Sequence, residues 1–271
     1  PCVVVLHTVL TDPTPHQRDV LESVIAKADA VVAMTMTARD RLAAGYAVDM
    51  TKVCIIAHGA PVRQTTMAEP TFRTGQFTIL TWGLLGPGKG IEWGIEAMTM
   101  LRDLMPMPRY VVAGQTHPKV LLDEGEAYRD RLREQVQQAG LGSSITFDGY
   151  YRSTSALASL VRSADVVLLP YDSTEQVTSG VLIEAMAAGK PVVATQFPHA
   201  AEVLAGGAGL LVPHRDPAAI ATALRSVITS RDVMTKMAAA ASQTAPPLLW
   251  PVIADQYREL AGRLITTSVA A

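Results

Sequence analysis

Residue types able to bind a charged, hydroxylated ligand lie closest together in QVTSGVLIEAMAAGKPVVAT, residues 176–195. Thr178, Ser179 and Gly180 stand before an apolar run that ends at Gly189, and they read as a loop opening a helix. The first N–H groups of a helix have no partner within it and point outward, which makes such an opening an anion site. Glu184 follows little more than a turn later, among Val181, Leu182, Ile183, Ala185 and Met186. A lone carboxylate in such company needs a partner, and sugar hydroxyls are suitable donors. The combination suggests a pocket for a ligand carrying both phosphate and hydroxyls. A plain surface glutamate, favoured near a helix start by the helix dipole, is the alternative.

A second candidate is the turn Gly83-Leu84-Leu85-Gly86-Pro87-Gly88-Lys89-Gly90. Gly83 to Lys89 fits the first seven positions of the phosphate-binding pattern GxxxxGK, but the eighth, a Ser or Thr that would hold magnesium, is Gly90. Pro87 also removes one N–H donor. A glycine-rich turn with one lysine can still hold a diphosphate through charge and backbone, and a tight turn with a solvated lysine is the alternative. His7 closes a strand and opens a long loop, a position that lines a cleft or serves structure equally well. Asp148-Gly149-Tyr150-Tyr151 follows a strand end and either faces a nucleotide base or is an ordinary loop. His16 reads as a helix-start residue and His58 as a turn or hinge residue, while His117, His199 and His214 show no metal spacing. The charged stretch 124–134 reads as a solvated helix face.

The elements that must position these residues alternate strand and helix along 271 residues. Strands are expected over 2–6, 30–34 and 52–56, with helices over 16–28 and 38–45, the second capped by Thr37. A polar, aperiodic stretch over 57–75, with Pro61 and Pro70, reads as an interdomain linker. Strands then follow over 77–82, 110–113, 145–147, 166–169, 192–195 and 209–212. Helices over 91–104, 119–139, 155–163, 180–188 and 199–204 lie between them, and further helices cover 217–228, 231–243 and 251–265. This is an α/β pattern, implying a doubly wound parallel sheet with ligands beyond the strand C-terminal ends.

Hydrophobic residues make up 49% of the chain and charged residues 18%, as buried parallel strands require. The net charge of −2 gives no electrostatic case for nucleic acid. No apolar run approaches the roughly 20 residues of a membrane span. Cys2 and Cys54 read as buried reduced thiols, in keeping with a cytoplasmic protein. The chain opens at Pro1 directly in a strand, PCVVVLHT, so upstream sequence is expected.

These segments resemble the GT-B glycosyltransferases, in particular the large retaining family 4. The resemblance is carried by the glycine-rich turn with Lys89, by QVTSGVLIEAMAAGKPVVAT, and by HAAEVLAGGAGLLVPHRDPAAIATAL with Glu202. LHT at 6–8 and VCIIAHGA before the linker resemble the end of the family's first domain, and LLWPVIADQYREL resembles its closing helix. The resemblance implies two Rossmann-like domains, the first incomplete over 1–68 and the second, donor-binding, over 69–245. Residues 246–271 would cross back to the first.

In such enzymes two glutamates lie eight residues apart. The second matches Glu184, which would accept the ribose hydroxyls, and the first falls on Gln176. A phosphate-binding arginine falls on Leu84, while the lysine is retained as Lys89; both departures belong to a variant group within the family. His7 matches a histidine that approaches the donor sugar. The implied donor site is Gly86, Lys89, Gly149, Tyr150, Gln176, Ser179, Gly180, Val181 and Glu184, with His7, Lys89 and Gln176 nearest the chemistry. The implied activity is metal-independent transfer of a hexosyl group from a nucleotide-diphosphate sugar, with retention, to a carbohydrate or other hydroxyl acceptor. No cofactor is expected. Rival readings are a non-catalytic nucleotide-sugar-binding remnant, a P-loop-like NTPase and, with no clear carboxylate and His pattern, an epimerase of the same fold. An incomplete first sheet would expose an edge open to self-association.

Overall fold

Short β-branched runs bounded by turn residues become parallel strands here because both of their faces can be covered by helices. The computed structural model describes residues 1–62 and 75–270; most of the linker expected over 57–75 lies outside the described residues. Strands β1 (Val3–Leu6), β2 (Ala30–Ala33) and β3 (Val53–Ile55) form a parallel sheet in the order β1-β2-β3, with β1 at an edge. Helix α1 (Pro15–Lys27) opens with a capping box between Thr14 and Gln17. Helix α2 (Met36–Gly45) begins two residues before expectation. Its cap is Thr35, which accepts from the Ala38 N–H, and Thr37 lies inside the first turn.

The second sheet contains β4 (Thr78–Trp82), β5 (Arg109–Ala113), β6 (Ile145–Asp148), β7 (Val166–Leu169), β8 (Val192–Thr195) and β9 (Gly209–Val212). All its pairings are parallel, in the order β6-β5-β4-β7-β8-β9. The chain runs outward from β4 to β6, then restarts on the other side at β7. Loops leaving β4 and β7 therefore diverge, and the crevice between them is where this topology binds ligands.

Helices α3 (Ile91–Thr99), α4 (Pro118–Glu124), α5 (Ala127–Gln138), α6 (Thr154–Ser163), α7 (Gly180–Ala187), α8 (Pro198–Leu204), α9 (Pro217–Thr229) and α10 (Arg231–Thr244) surround this sheet. The single helix expected over 119–139 is two, broken at Gly125, whose φ of 64° is a left-handed conformation suited to glycine. Helix α3 stops short of residue 104 because the backbone tightens into i→i+3 turns at Met100, Leu101 and Leu104.

Alternate residues of β4, β5 and β7 feed two cores. Ile79, Tyr110 and Leu168 pack with Ile95 and Leu224 on one face, and Leu80, Val111 and Val167 pack with Leu182 and Met186 on the other. The first sheet has its own core of Leu6, Val31, Ala33 and Leu42, into which Val177 inserts from the loop after β7. Its other face is covered by α11 (Trp250–Ala270), where Ile253 and Leu260 pack with Ala30, Val32 and Ile56. Backbone bonds from Ala60 N–H to the Leu248 carbonyl and from Trp250 N–H to the Ala60 carbonyl fix where that helix starts. The expectation that both thiols are buried is corrected: Cys2 precedes β1 and is exposed, whereas Cys54 is half-buried.

Candidate functional site

Glycines after β4 and β5 are required by backbone packing. Gly114, at φ 134°, lies so close that a Cβ there would sit 1.9 Å from the Gly83 carbonyl oxygen. Gly90 has φ 62°, and a Cβ on it would sit 1.8 Å from the Pro170 carbonyl oxygen. The magnesium-binding Ser or Thr of a P-loop therefore has no room at this position, and the near-match to GxxxxGK serves a different architecture. Between these glycines Lys89 places Nζ 4.3 Å from the centroid of the Tyr171 ring, a cation–π contact worth about 0.5–2 kcal/mol. Burial lowers the Lys89 pKa from the usual lysine range. Tyr171 is fully buried and stacks on Phe197 at 5.1 Å, which holds the lysine's platform still.

Opposite this turn, α7 begins at Gly180, and a Cβ on Gly83 would be 3.7 Å from the Val181 side chain. Ser179 caps the helix through its side chain, accepting from the Leu182 N–H at 3.3 Å. Its own N–H donates to Nδ1 of His199 at 2.7 Å. This corrects the expectation that Ser179, Gly180 and Val181 all present N–H groups outward. Ser179 is only 3% exposed and its N–H is engaged, so Gly180 and Val181 are the donors at the opening. His199 also donates its backbone N–H to the Gln176 carbonyl at 3.3 Å, and so clamps both ends of the 176–179 loop. Its burial lowers its pKa to about 4, so the imidazole is neutral and Nδ1 is available as an acceptor.

Glu184 is half-buried on α7. Burial raises its pKa from the usual carboxylate range, and the neighbouring side chain of Trp82, the last residue of β4, partly offsets that rise. Gln176 donates from its side-chain amide to the Thr178 carbonyl at 3.1 Å. With His7, His58, Thr178 and Gly180 it lines a cavity of about 500 Å3 between the two sheets. Gly86 and Lys89 line a second cavity of about 420 Å3, with Leu84, His117 and Lys119. Of the expected residues, His7, Gln176 and Gly180 line the first cavity and Gly86 and Lys89 the second, while Ser179, Val181, Glu184, Gly149 and Tyr150 line neither.

Gly149 and Tyr150 follow β6, the outermost strand, and Tyr150 is 81% exposed. Beneath Gly149 lies Arg129, which corrects the reading of 124–134 as a wholly solvated face. This arginine is 4% exposed and donates to the Gly114 carbonyl at 2.7 Å and to Glu126 at 3.1 Å. Its partners are the Gly114 carbonyl, the Thr116 hydroxyl and Glu126, the residue just before α5. His58, expected at a turn or hinge, lines the larger cavity.

The two sheets are tied together beside that cavity. Arg41 of α2 donates to the Val9 and Glu175 carbonyls at 3.0 and 3.2 Å and to the Glu175 carboxylate at 2.8 Å. The same carboxylate accepts from the Thr11 N–H at 2.9 Å, and both bonds lower its pKa against the effect of burial. The Thr35 hydroxyl donates to the Val177 carbonyl at 3.1 Å. Glu202 of α8 accepts from the Met36 and Thr37 N–H groups at 2.9 and 3.0 Å, and from the Thr37 hydroxyl at 2.8 Å. The loop carrying Gln176 is therefore held by both halves of the molecule.

Residues 62–244 match the family model for glycosyl transferases group 1. The chain belongs to this family. It is 29% identical over 263 residues to a D-inositol 3-phosphate glycosyltransferase of Rhodococcus opacus, covering 91% of this chain and 56% of the relative. It is 27% identical over 220 residues to a glycogen synthase of Mycobacterium tuberculosis, covering 81% and 50% respectively. The chain thus spans about half the length of these curated relatives. Among solved structures, HepE of Anabaena in complex with UDP and glucose superposes with a TM-score of 0.82 at 20% identity, covering 97% of this chain and 72% of that one. A sucrose-phosphate synthase of Thermosynechococcus elongatus gives 0.78 at 23% identity, with 98% and 68% covered. These likenesses establish the GT-B fold for this group 1 glycosyltransferase. No helix among the described residues is long and apolar enough to cross a membrane.

Proposed function

We propose that this chain binds a nucleotide-diphosphate sugar in the crevice between β4 and β7 and transfers its hexosyl group to a hydroxyl acceptor with retention of configuration. One observation carries the reading. The turn bearing Lys89 leaves β4, and the loop that opens α7, with Gly180, Val181 and Glu184, leaves β7, the two adjacent strands at which the order of the sheet reverses. Lys89 and the helix opening supply positive potential for the diphosphate in a partly enclosed site, where such potential is strongest. Glu184 accepts from the ribose hydroxyls, and the 149–150 loop faces the base. The complexes of HepE with UDP and with UDP-glucose, on the same fold, support a nucleotide sugar as the ligand.

At the reacting centre the enzyme must stabilise a departing diphosphate and an oxocarbenium-like carbon. Gln176 is neutral and a poor nucleophile, so a covalent intermediate at that residue is disfavoured. The acceptor hydroxyl instead attacks from the face that the diphosphate leaves, and a diphosphate oxygen takes its proton. His7, exposed at the mouth of the larger cavity, aligns the sugar. A metal ion and a cofactor have no part in this scheme.

A second reading, donor binding without turnover, is favoured by the neutral Gln176 and by Leu84 in place of an arginine. A thermal-shift panel of UDP-, GDP- and ADP-sugars tests both, with product analysis against hydroxyl acceptors. Stabilisation by one nucleotide sugar that is lost in Glu184→Ala and Lys89→Met supports the donor site. Stabilisation without any product selects the second reading, and no shift with any nucleotide overturns both.

A further inference from the structure

His58 sits on the chain between β3 and the residues outside the structure, and it enters the larger cavity from the first sheet's side. Its ring lies against the opening of α7: a Cβ on Gly180 would be 2.8 Å from Cε1 and 2.9 Å from Nε2. Only a glycine at this helix start allows so close an approach. Nδ1 is 2.8 Å from the Gly59 carbonyl oxygen. A carbonyl only accepts, so Nδ1 carries a hydrogen and Nε2 is the nitrogen left to face the helix opening. The ring is braced from behind by Trp250, with centroids 5.7 Å apart. Gly59 in turn lies under the Trp250 ring, where a Cβ would be 2.2 Å from Cε3. The imidazole is thus held in one orientation by α11, with Nε2 beside Gly180, the first residue of α7.

The diphosphate site proposed above has Lys89 as its cation, and Leu84 adds none where the resemblance implies an arginine. We infer that His58 supplies a second: on donor binding Nε2 takes up a proton and donates a charge-assisted hydrogen bond to the diphosphate. This inference rests on the donor-site reading and deepens it by naming the group that answers the phosphate charge. Without ligand the proton is disfavoured, because burial and the nearby His7 lower the His58 pKa. The groups facing it are His7 from the end of β1, His199 from α8 and Glu175 from the loop after β7. His199 is neutral at working pH, and the Glu175 carboxylate is occupied by Thr11 and Arg41. A doubly charged diphosphate ester is therefore the anion that drives His58 to its cationic form, and binding is predicted to consume a proton.

The experiment is calorimetric titration with UDP-glucose, GDP-glucose and ADP-glucose at pH 6, 7 and 8, each in two buffers of different ionisation enthalpy. Sugar-nucleotide diphosphates carry no group that titrates in this range, so any proton uptake belongs to the protein. Wild type is expected to bind one donor about three- to fivefold more tightly at pH 6 than at pH 8, with an uptake of a fraction of a proton that is largest near pH 6 and vanishes toward pH 8. His58→Gln is expected to bind with weaker, pH-independent affinity and no uptake. In unmodified protein, the His58 Cε1–H resonance should report a pKa raised by about one unit when the donor is added, a readout that does not depend on the variant folding. Donor binding with unchanged proton uptake in His58→Gln, or an unmoved His58 titration in wild type, overturns the role of His58 and leaves the donor site standing. No binding by any of the three overturns both.

Discussion

The backbone N–H of Ser179 and the imidazole of His199 share a 2.7 Å hydrogen bond in which the side chain accepts. It couples the opening of α7 to α8 and makes the shape of the donor loop depend on a neutral histidine. His199 titrates near pH 4 in the fold against 6.5 for an ordinary histidine. Between those values the unfolded chain binds more protons than the folded one, so stability rises with pH across that window. The contribution is complete above about pH 6.5 and is lost as the pH falls toward 4, amounting to about 3 kcal/mol. His199→Asn keeps an acceptor but cannot titrate. It should cost no more than about 1 kcal/mol at pH 7 and become the more stable form below about pH 5. Urea unfolding from pH 7 to pH 4.5 checks this, and parallel curves for the two proteins would refute it.

Gly90 bears on the P-loop resemblance directly. Gly90→Ser completes GxxxxGKS in the sequence, yet it places a Cβ against the Pro170 carbonyl at a φ that side chains rarely adopt. The variant should lose several kcal/mol of stability, as backbone clashes of this kind do, and gain no magnesium-dependent ATP hydrolysis. Melting temperature and phosphate release decide the matter. A stable variant would mean that the turn after β4 is softer than its packing indicates.

The strand and helix order, the parallel six-stranded sheet and its switch point were legible because β-branched runs and helix-period stretches alternate cleanly. Lys89, Gln176, Gly180 and Glu184 could be proposed from sequence because a glycine-rich turn and a helix opening are local patterns. The histidines were not. His58 matters through Gly180 and Trp250, and His199 through Ser179; each partner is distant in sequence or on another element, and spacing is silent about such pairs. Arg129 was misread for the same reason: its principal acceptor is the Gly114 carbonyl, which no residue type announces. A faint signal did exist at His199, a lone imidazole among the small and apolar residues of FPHAAEVL, which has little polar company and so must find a backbone partner.

Glu202 joins the two halves by capping α2 from outside that helix's own sequence. Its carboxylate receives the Met36 and Thr37 N–H groups near a helix N-terminus, where negative charge is favoured. Glu202→Ala should cost about 1–2 kcal/mol, the range for loss of such a cap. Amide exchange at Met36 and Thr37 should accelerate, while amides in β4 stay protected. Unchanged exchange at these two positions would show that the contact does not hold the halves together.

Leu84 offers a gain-of-binding test of where the diphosphate lies. It is 46% exposed and lines the cavity that contains Lys89, so an arginine there disturbs no core. A guanidinium can engage a phosphate through two parallel hydrogen bonds, which a lysine cannot. If the diphosphate rests against the turn after β4, Leu84→Arg should tighten binding of the preferred nucleotide sugar about tenfold, equivalent to about 1.4 kcal/mol. The salt dependence of binding should steepen as well, since an exposed charge is screened. Combined with His58→Gln, the new arginine should restore much of the lost affinity without restoring proton uptake, because a guanidinium is already charged. Unchanged affinity in Leu84→Arg would place the diphosphate away from this turn, and the approach of Lys89 to Tyr171 would then be a structural contact alone.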